Sequence, residues 1–392
     1  MRHVLTGARI FDGTRLLADH ALVIEDGRIT GLPPSAEAPP ATRRVAGILA
    51  PGFVDLQVNG GAGLMVGGDT DPDALRRICA AHRALGCAGI LPTLITDRAE
   101  VTARVIAAGV KAAQAGVPGF LGLHLEGPHL DPRRAGAHDP ALIRRMEGAD
   151  LARLIAAARA LPVLMVTLAP EAATPAQIAA LTQAGVIVSL GHSDCSFDAA
   201  RASFAAGAQA ATHLFNAMSQ MGHRAPGLVG AVLSGQAFAG LIADGIHVHP
   251  EALRIALAAR PEGLFLVSDC MAFAGTDRTR MTLQGRVVQR EGGRLTLPDG
   301  TLAGADLRLD RALRLLVNDL GVPVARALAM ATRVPAALAR IGDRVGALEA
   351  GRAAEVILLS DDLTLAGVWQ DGDLHPVPPE GPPAERIPAP AP

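Results

Sequence analysis

Lysine is almost absent from this chain of 392 residues: Lys111 is the only one, and arginine supplies the rest of the positive charge. That bias reads as genome composition rather than function. Neither sign of charge is in surplus, because the formal net charge is −2, which removes the electrostatic reason to expect a nucleic-acid partner. Cysteines are few. Cys79, Cys87, Cys195 and Cys270 are scattered without a CxxC pairing, which argues against a disulfide framework and suits a reducing compartment. No apolar run approaches the ~18 residues that would span a membrane. Met1-Arg2-His3 leads into strand-like sequence with no signal-peptide pattern, so the expected location is the cytoplasm.

What the chain does have is apolar content, 49% hydrophobic against 19% charged residues, enough for a folded core and unlike a disordered chain. Its length exceeds one small core, while a barrel of strands and helices commonly takes ~250 residues, so one large domain with a smaller companion fits. Residues 4–30 read as short strands with turns at Asp12-Gly13 and Asp26-Gly27, and 32–44 as a proline- and alanine-rich linker. Strand-like sequence returns at 355–359 and 365–369. The two ends, 1–49 and 346–380, are therefore expected to form one small β-sandwich domain, followed by a disordered proline-rich tail at 381–392.

Between them, residues 50–345 alternate strand-like runs with amphipathic, alanine-rich stretches. Eight strands are expected at 52–59, 89–96, 120–126, 163–168, 186–192, 208–214, 239–246 and 264–269. Helices are expected at 72–85, 99–115, 149–161, 175–184, 197–206, 250–259 and 309–320, and the weakest pattern lies at the sixth crossover, 227–235. Eight such units predict an α/β fold of the (β/α)8 type. The structural alternative, a doubly wound sheet, lacks its glycine-rich phosphate loop, which Asn59-Gly60-Gly61-Ala62-Gly63 resembles only loosely.

The chemistry collects where these strands end. In Phe120-Leu121-Gly122-Leu123-His124-Leu125-Glu126-Gly127-Pro128-His129 an apolar run stops at a carboxylate, with Gly122, His124 and Glu126 sharing one face. Glu126 is expected to end the third strand, His192 the fifth, His213 the sixth and Asp269 the eighth, with His247 following the seventh. One such histidine would be an ordinary core or surface residue. Several polar residues at one barrel rim instead suggest three ligands to a borderline cation such as zinc, from Glu126, His192 and His213, with water as the fourth. Asp269 reads as a fourth ligand, a helix cap or a base. His124, two residues deeper than Glu126, reads as interior filling or a support to the ligands.

Six stretches together are similar to one family. HLEGP at 124–128, GHS at 191–193, THLFNAM at 212–218, HRAPG at 223–227, DGIH at 244–247 and SDCMAFAGT at 268–276 resemble the N-acetylglucosamine-6-phosphate deacetylases of the amidohydrolase superfamily, over about residues 51–351. The resemblance implies that Glu126, His192 and His213 hold one divalent metal per subunit, most often zinc and otherwise iron, manganese or cobalt. It implies Asp269 as general acid/base and His138 as the group that polarises the acetamide carbonyl. Ala137, Asn216, Ala217 and the segment Leu302-Ala303-Gly304 would line the sugar. Arg224 and His247 would bind the phosphate, the arginine reaching across a homodimer.

Many members of that superfamily carry His-x-His on the first strand for a second metal, whereas this chain has Gln57-Val58-Asn59, so one metal is expected. The implied reaction is hydrolysis of N-acetyl-D-glucosamine 6-phosphate to D-glucosamine 6-phosphate and acetate, in amino-sugar catabolism or cell-wall recycling. Rival readings are the same chemistry on the galactosamine epimer, a hydantoinase-like cyclic amidase, and a barrel that only senses a sugar phosphate. A hydantoinase would usually show His-x-His and a metal-bridging lysine. A sensor has no need of Asp269.

Overall fold

The structure is a computed structural model and describes residues 1–377 except 284 and 371; the tail at 381–392 and residues 378–380 of the expected β-region lie outside it. Eight parallel strands make the central sheet: β1 Phe53–Val58, β2 Cys87–Ile95, β3 Leu123–Glu126, β4 Leu164–Leu168, β5 Ile187–Leu190, β6 Ala210–Ala211, β7 Phe238–Leu241 and β8 Leu264–Leu266. Neighbours in sequence are neighbours in the sheet throughout. The ring closes beyond the last ladder, where Asp269 N–H donates to the Gln57 carbonyl (3.0 Å) and Asn59 N–H to the Cys270 carbonyl (2.9 Å). Together these make the (β/α)8 barrel that the alternating pattern predicts.

The strands are shorter than their apolar runs. The third begins at Leu123 rather than at 120, because Gly122 has φ +147° and a Cβ there would lie 2.0 Å from the Val163 carbonyl oxygen, so the chain kinks into place at a glycine. The sixth shrinks to two residues. Around the ring the helices bury one stripe each; Pro72–Ala84, capped by Asp71, packs Leu75, Ile78 and Cys79 inward. The weak sixth crossover is a helix, Gly227–Leu233. The expected helix at 309–320 divides into Leu309–Arg314 and a π-turn at Leu315–Asp319.

Strands of the N-terminal end alone make a four-stranded sheet, running from Arg28–Gly31 to Arg43–Arg44, and strands from both ends make a six-stranded one that joins Ile48–Pro51 to Val356–Leu359. Leu5, Ile10, Leu22, Ile24, Leu49, Val356 and Trp369 form their shared core. Sequence patterning missed a three-stranded insertion after β8, at Arg280–Leu283, Arg286–Glu291 and Arg294–Thr296. Its Leu283, Val288 and Leu295 pack on Met271, Phe273 and Ala303 beside the barrel mouth.

One buried carboxylate clasps the barrel seam. Asp55 on β1 accepts from the amides of Gln57 (3.2 Å) and Ser268 (3.2 Å), and burial pushes its carboxyl up to about 7 against the pull of those donors. Because its folded value lies above the ordinary carboxylate value of about 3.9, ionising Asp55 costs stability progressively as pH rises from about 4 to about 7. Asp55→Asn can keep one acceptor for both amides and cannot ionise. Its melting temperature relative to the parent is expected to climb across that window and then level off, and an offset independent of pH would refute the raised value. Asp55→Ala, which strands both amides, should cost ~1–3 kcal/mol for each.

Candidate active site

Glu126 ends β3 as the sequence suggests, but His192, His213 and Asp269 do not end strands: they lie two, two and three residues beyond β5, β6 and β8. The reason is local. Their φ angles are +46°, +33° and +47°, and a left-handed residue cannot continue a pleated strand, so each ladder stops short and the side chain turns across the barrel mouth. There Glu126 Oε1 lies 3.2 Å from His192 Nε2 and 3.1 Å from His213 Nε2, and the two imidazole nitrogens are 3.0 Å apart. All three residues are buried. A tetrahedral zinc ion with bonds of ~2.0–2.2 Å spaces its ligand atoms about 3.3 Å apart, so this triangle fits such a cation to within a few tenths of an ångström.

Hydrogen bonds fix which nitrogen of each ring faces the site. His192 Nδ1 lies 2.7 Å from the Arg134 carbonyl, which can only accept, so Nδ1 carries the proton and Nε2 offers a lone pair. His138 is held the opposite way. Its Nδ1 accepts from the Thr96 amide (3.2 Å) and lies 2.8 Å from Thr96 Oγ1, which leaves the ring proton on Nε2, 4.0 Å from Glu126 Oε2. Burial and the neighbouring His192 drive the ring's basicity down to about 3, so His138 is neutral and its Nε2–H is a donor. His213 Nδ1 is buried with no hydrogen-bond partner among the described residues.

The carboxylates are tuned apart. Burial penalises the Glu126 charge, but the imidazoles of His192 and His213 beside it outweigh that penalty and hold the carboxyl well below the usual range. Burial and the charge on Glu126 instead raise Asp269 to about 6, although His213 and a bond from Asn59 oppose them. Two carboxyl groups of such different proton affinity are the arrangement expected of a fixed ligand and a proton carrier.

The remaining candidates divide. Ala305 N–H donates to the Asp269 carbonyl (2.8 Å), which brings Leu302, Ala303 and Gly304 beside Asp269; a Cβ on Gly304 would meet that carbonyl at 3.0 Å and Met271 Cγ at 2.8 Å. Asn216 bonds back to the His213 carbonyl (3.3 Å), and the Ala217 carbonyl accepts from Ser193 N–H (3.1 Å). Ala137 is partly buried, and its carbonyl accepts from Arg286 of the three-stranded insertion (2.5 Å). His247 is held by Asp244, whose Oδ2 lies 2.6 Å from Nδ1 and whose Oδ1 caps the turn through the amides of Ile246 and His247. Arg224 is exposed and makes no side-chain hydrogen bond or ion pair among the described residues. His124 is interior, as its depth suggests: it bonds the Leu56 carbonyl and Thr167 Oγ1.

Sequence reasoning missed Thr96, Asp244, and the pair Arg134–Asp194 (2.6 Å) that pins the loop holding His192. Asp244 alone left a signal, three residues before His247 in DGIH; Thr96 and Arg134 reach the site only through the fold.

The amidohydrolase family model matches residues 48–377, and a model described as the NagA composite domain matches 3–46. An N-acetylgalactosamine-6-phosphate deacetylase of Shewanella sp. (strain ANA-3) is 37% identical over 95% of this chain and 95% of its own. The N-acetylglucosamine-6-phosphate deacetylase of Bos taurus is 35% identical over 94% of this chain and 90% of its own. A crystal structure of the N-acetylglucosamine-6-phosphate deacetylase from Pasteurella multocida superposes with a TM-score of 0.91 at 29% identity, covering 96% of this chain and all of that one.

One divalent cation per chain is expected to survive dialysis, since the amides of Gln57 and Asn59 are engaged with Glu126 and Asp269 and offer no imidazole to a second. Elemental analysis checks this: Glu126→Gln should lose the cation, and two retained equivalents in the parent would contradict it.

Proposed function

This chain belongs to the amidohydrolase family, and we propose that it hydrolyses N-acetyl-D-glucosamine 6-phosphate to D-glucosamine 6-phosphate and acetate. The observation that carries the reading is the juxtaposition of a three-donor cradle, a carboxyl raised to about 6 and a neutral imidazole locked as an Nε2–H donor. Amide hydrolysis needs an electrophilic carbonyl, an activated water and a proton for the departing nitrogen. A divalent cation held by Glu126, His192 and His213 supplies Lewis-acid polarisation and a lower pKa for water.

The chain's own groups do the rest. His138 donates from Nε2 to the carbonyl oxygen as it gains negative charge. Asp269 accepts a proton from the attacking water as the O–C bond forms, then delivers it to the sugar nitrogen as the C–N bond breaks, so that the free amine leaves and the acetic acid formed releases water's second proton to become acetate. His247 donates from Nδ1 to Asp244 and from Nε2 to the sugar's phosphate, and Arg224 supplies the guanidinium. The exposure of Arg224 suits a homodimer in which it completes the partner's site. Zinc is the cation that this donor set matches best, and a cytoplasmic setting agrees with four free, buried cysteines.

The second reading, the galactosamine epimer, is favoured by the Shewanella relative, whose identity of 37% exceeds the 35% of the glucosamine-named Bos taurus relative. Acetate release from the two epimeric N-acetylhexosamine 6-phosphates, with and without chelator, distinguishes them. Release from the glucosamine form that chelator abolishes is expected; turnover confined to the other epimer would reverse the assignment.

Two variants test the roles. Asp269→Asn should keep its metal and its substrate affinity while kcat falls by the ~10²–10⁴-fold attributed to a positioned acid/base. Loss of the metal would make Asp269 a ligand instead, and a rate within a few fold of the parent would exclude it as the proton carrier. Arg224→Ala should raise KM for the phosphorylated sugar far more than it lowers kcat, since a remote contact supplies uniform binding. If that variant still discriminates phosphorylated from unphosphorylated sugar as the parent does, Arg224 does not bind phosphate.

A further inference from the structure

Strand β1 and the residue after it hold the segment carrying Asp269 at three successive levels. The Asp55 carboxylate accepts from Ser268 N–H, the Gln57 carbonyl accepts from Asp269 N–H, and the Asn59 amide donates to the Cys270 carbonyl. At the last level there is also a side-chain contact. Asn59 Nδ2 donates to Asp269 Oδ1 at 2.7 Å and, more weakly, to the Asp269 carbonyl at 3.3 Å. Both partners are acceptors, so the carboxamide orientation is not arbitrary: the NH₂ half must face Asp269. Asn59 Oδ1, the other half, is buried with no hydrogen-bond partner among the described residues. A side chain that leaves its own acceptor unsatisfied in order to donate to a neighbouring carboxylate is placed for that donation.

We propose that Asn59 is the positioning residue for Asp269. By tying down Oδ1 it leaves Oδ2 as the oxygen that exchanges protons, and it keeps the carboxylate from rotating about its terminal torsion, which is otherwise broad and nearly two-fold. Gln57 does the same for the ligand carboxylate, donating from Nε2 to Glu126 Oε1 at 3.2 Å. Two neutral amides, Gln57 near the end of β1 and Asn59 just beyond it, thus each fix one of the two carboxylates at the barrel mouth. The chemistry requires a donor without a charge and without a lone pair aimed at the carboxylate. Aspartate would repel, and leucine would fill the space but let Asp269 turn.

This inference rests on the role proposed above for Asp269, and its test separates the two. Asn59→Leu, with the same branching and number of side-chain heavy atoms, is expected to lower kcat by about 10–100-fold with KM within about threefold of the parent and metal content unchanged. In an Asp269→Asn background the same substitution should cost less than about twofold more, because a group that acts only through Asp269 has nothing left to position, whereas a general structural role would make the losses multiply. A crystal structure of Asn59→Leu supplies a readout that does not depend on the reaction: the Asp269 carboxylate should be rotated from its parent orientation. An unchanged carboxylate, or multiplying losses, would overturn the proposal. Should Asn59→Leu fail to fold, Asn59→Ala is read by the same measures. A parent that releases no acetate would overturn the proposed reaction, while the carboxylate's orientation would still decide the role of Asn59.

Discussion

One oxygen atom organises the site. Glu126 Oε1 lies 3.1–3.2 Å from three nitrogens, on Gln57, His192 and His213, in a place from which water is almost excluded. Burying an isolated carboxylate costs several kcal/mol even after relaxation, so this one can exist only where donors or a cation compensate it. The three nitrogens come from β1 and from the loops after β5 and β6, which means that the carboxylate is stable only if the barrel has closed in register. A cation seated among the same atoms stabilises the folded chain by mass action, ~4 kcal/mol when present at a thousand times its dissociation constant. Fold and site are therefore coupled through the same electrostatic requirement.

Four histidines near that oxygen have distinct roles, and the distinction is made by backbone groups rather than by the imidazoles. A carbonyl at Nδ1 makes His192 a lone-pair donor at Nε2. A backbone N–H at the same atom makes His138 a proton donor at Nε2, although the two rings meet edge to face with centroids 4.3 Å apart. His124 has both nitrogens occupied, by the Leu56 carbonyl and by Thr167, and burial pushes its basicity down to about 4, so it has nothing left to offer a ligand. His213 differs again: Nε2 joins the cradle while Nδ1 has no hydrogen-bond partner among the described residues. Residue type supplies the capacity, and the polarity of the neighbouring peptide selects the use.

That division explains what could be read from the sequence. Periodicity located the eight strands because apolar runs reflect burial, and the motif spacings located Glu126, His192, His213 and Asp269 because each falls at a run's end. Strand lengths were not legible. A left-handed residue ends a strand through φ, and neither histidine nor aspartate announces that in composition, so the runs at 186–192 and 208–214 overstate the ladders they contain. Thr96 and Arg134 were invisible for a different reason: they are ordinary residues whose partners lie 42 and 58 positions away. The insertion of Arg280–Leu283, Arg286–Glu291 and Arg294–Thr296 was missed because its strands are largely polar and face solvent on one side.

The left-handed turns that aim the ligands thin the barrel where it needs rigidity most. Strands β5 and β6 share only two paired positions, Ser189 with Ala210 and Leu190 with Ala211. Side chains make up the deficit below the cradle. Because the Leu56 carbonyl can only accept, His124 Nδ1 carries the proton and Nε2 must receive one from Thr167 Oγ1 (2.7 Å). Thr167 then receives from Thr212 (2.6 Å), and Thr212 from Ser189 (2.7 Å), so every hydroxyl in the chain has one permitted direction. Four buried groups from β3, β4, β5 and the residue after β6 are thereby braced across the barrel interior with no proton left over. Thr212 immediately precedes His213, so the brace ends one peptide from the cradle. A polar layer in a barrel core is costly unless wholly satisfied; here its satisfaction, running from Ser189 to the Leu56 carbonyl, gives the ligand-bearing loops the stiffness that the shortened ladders cannot.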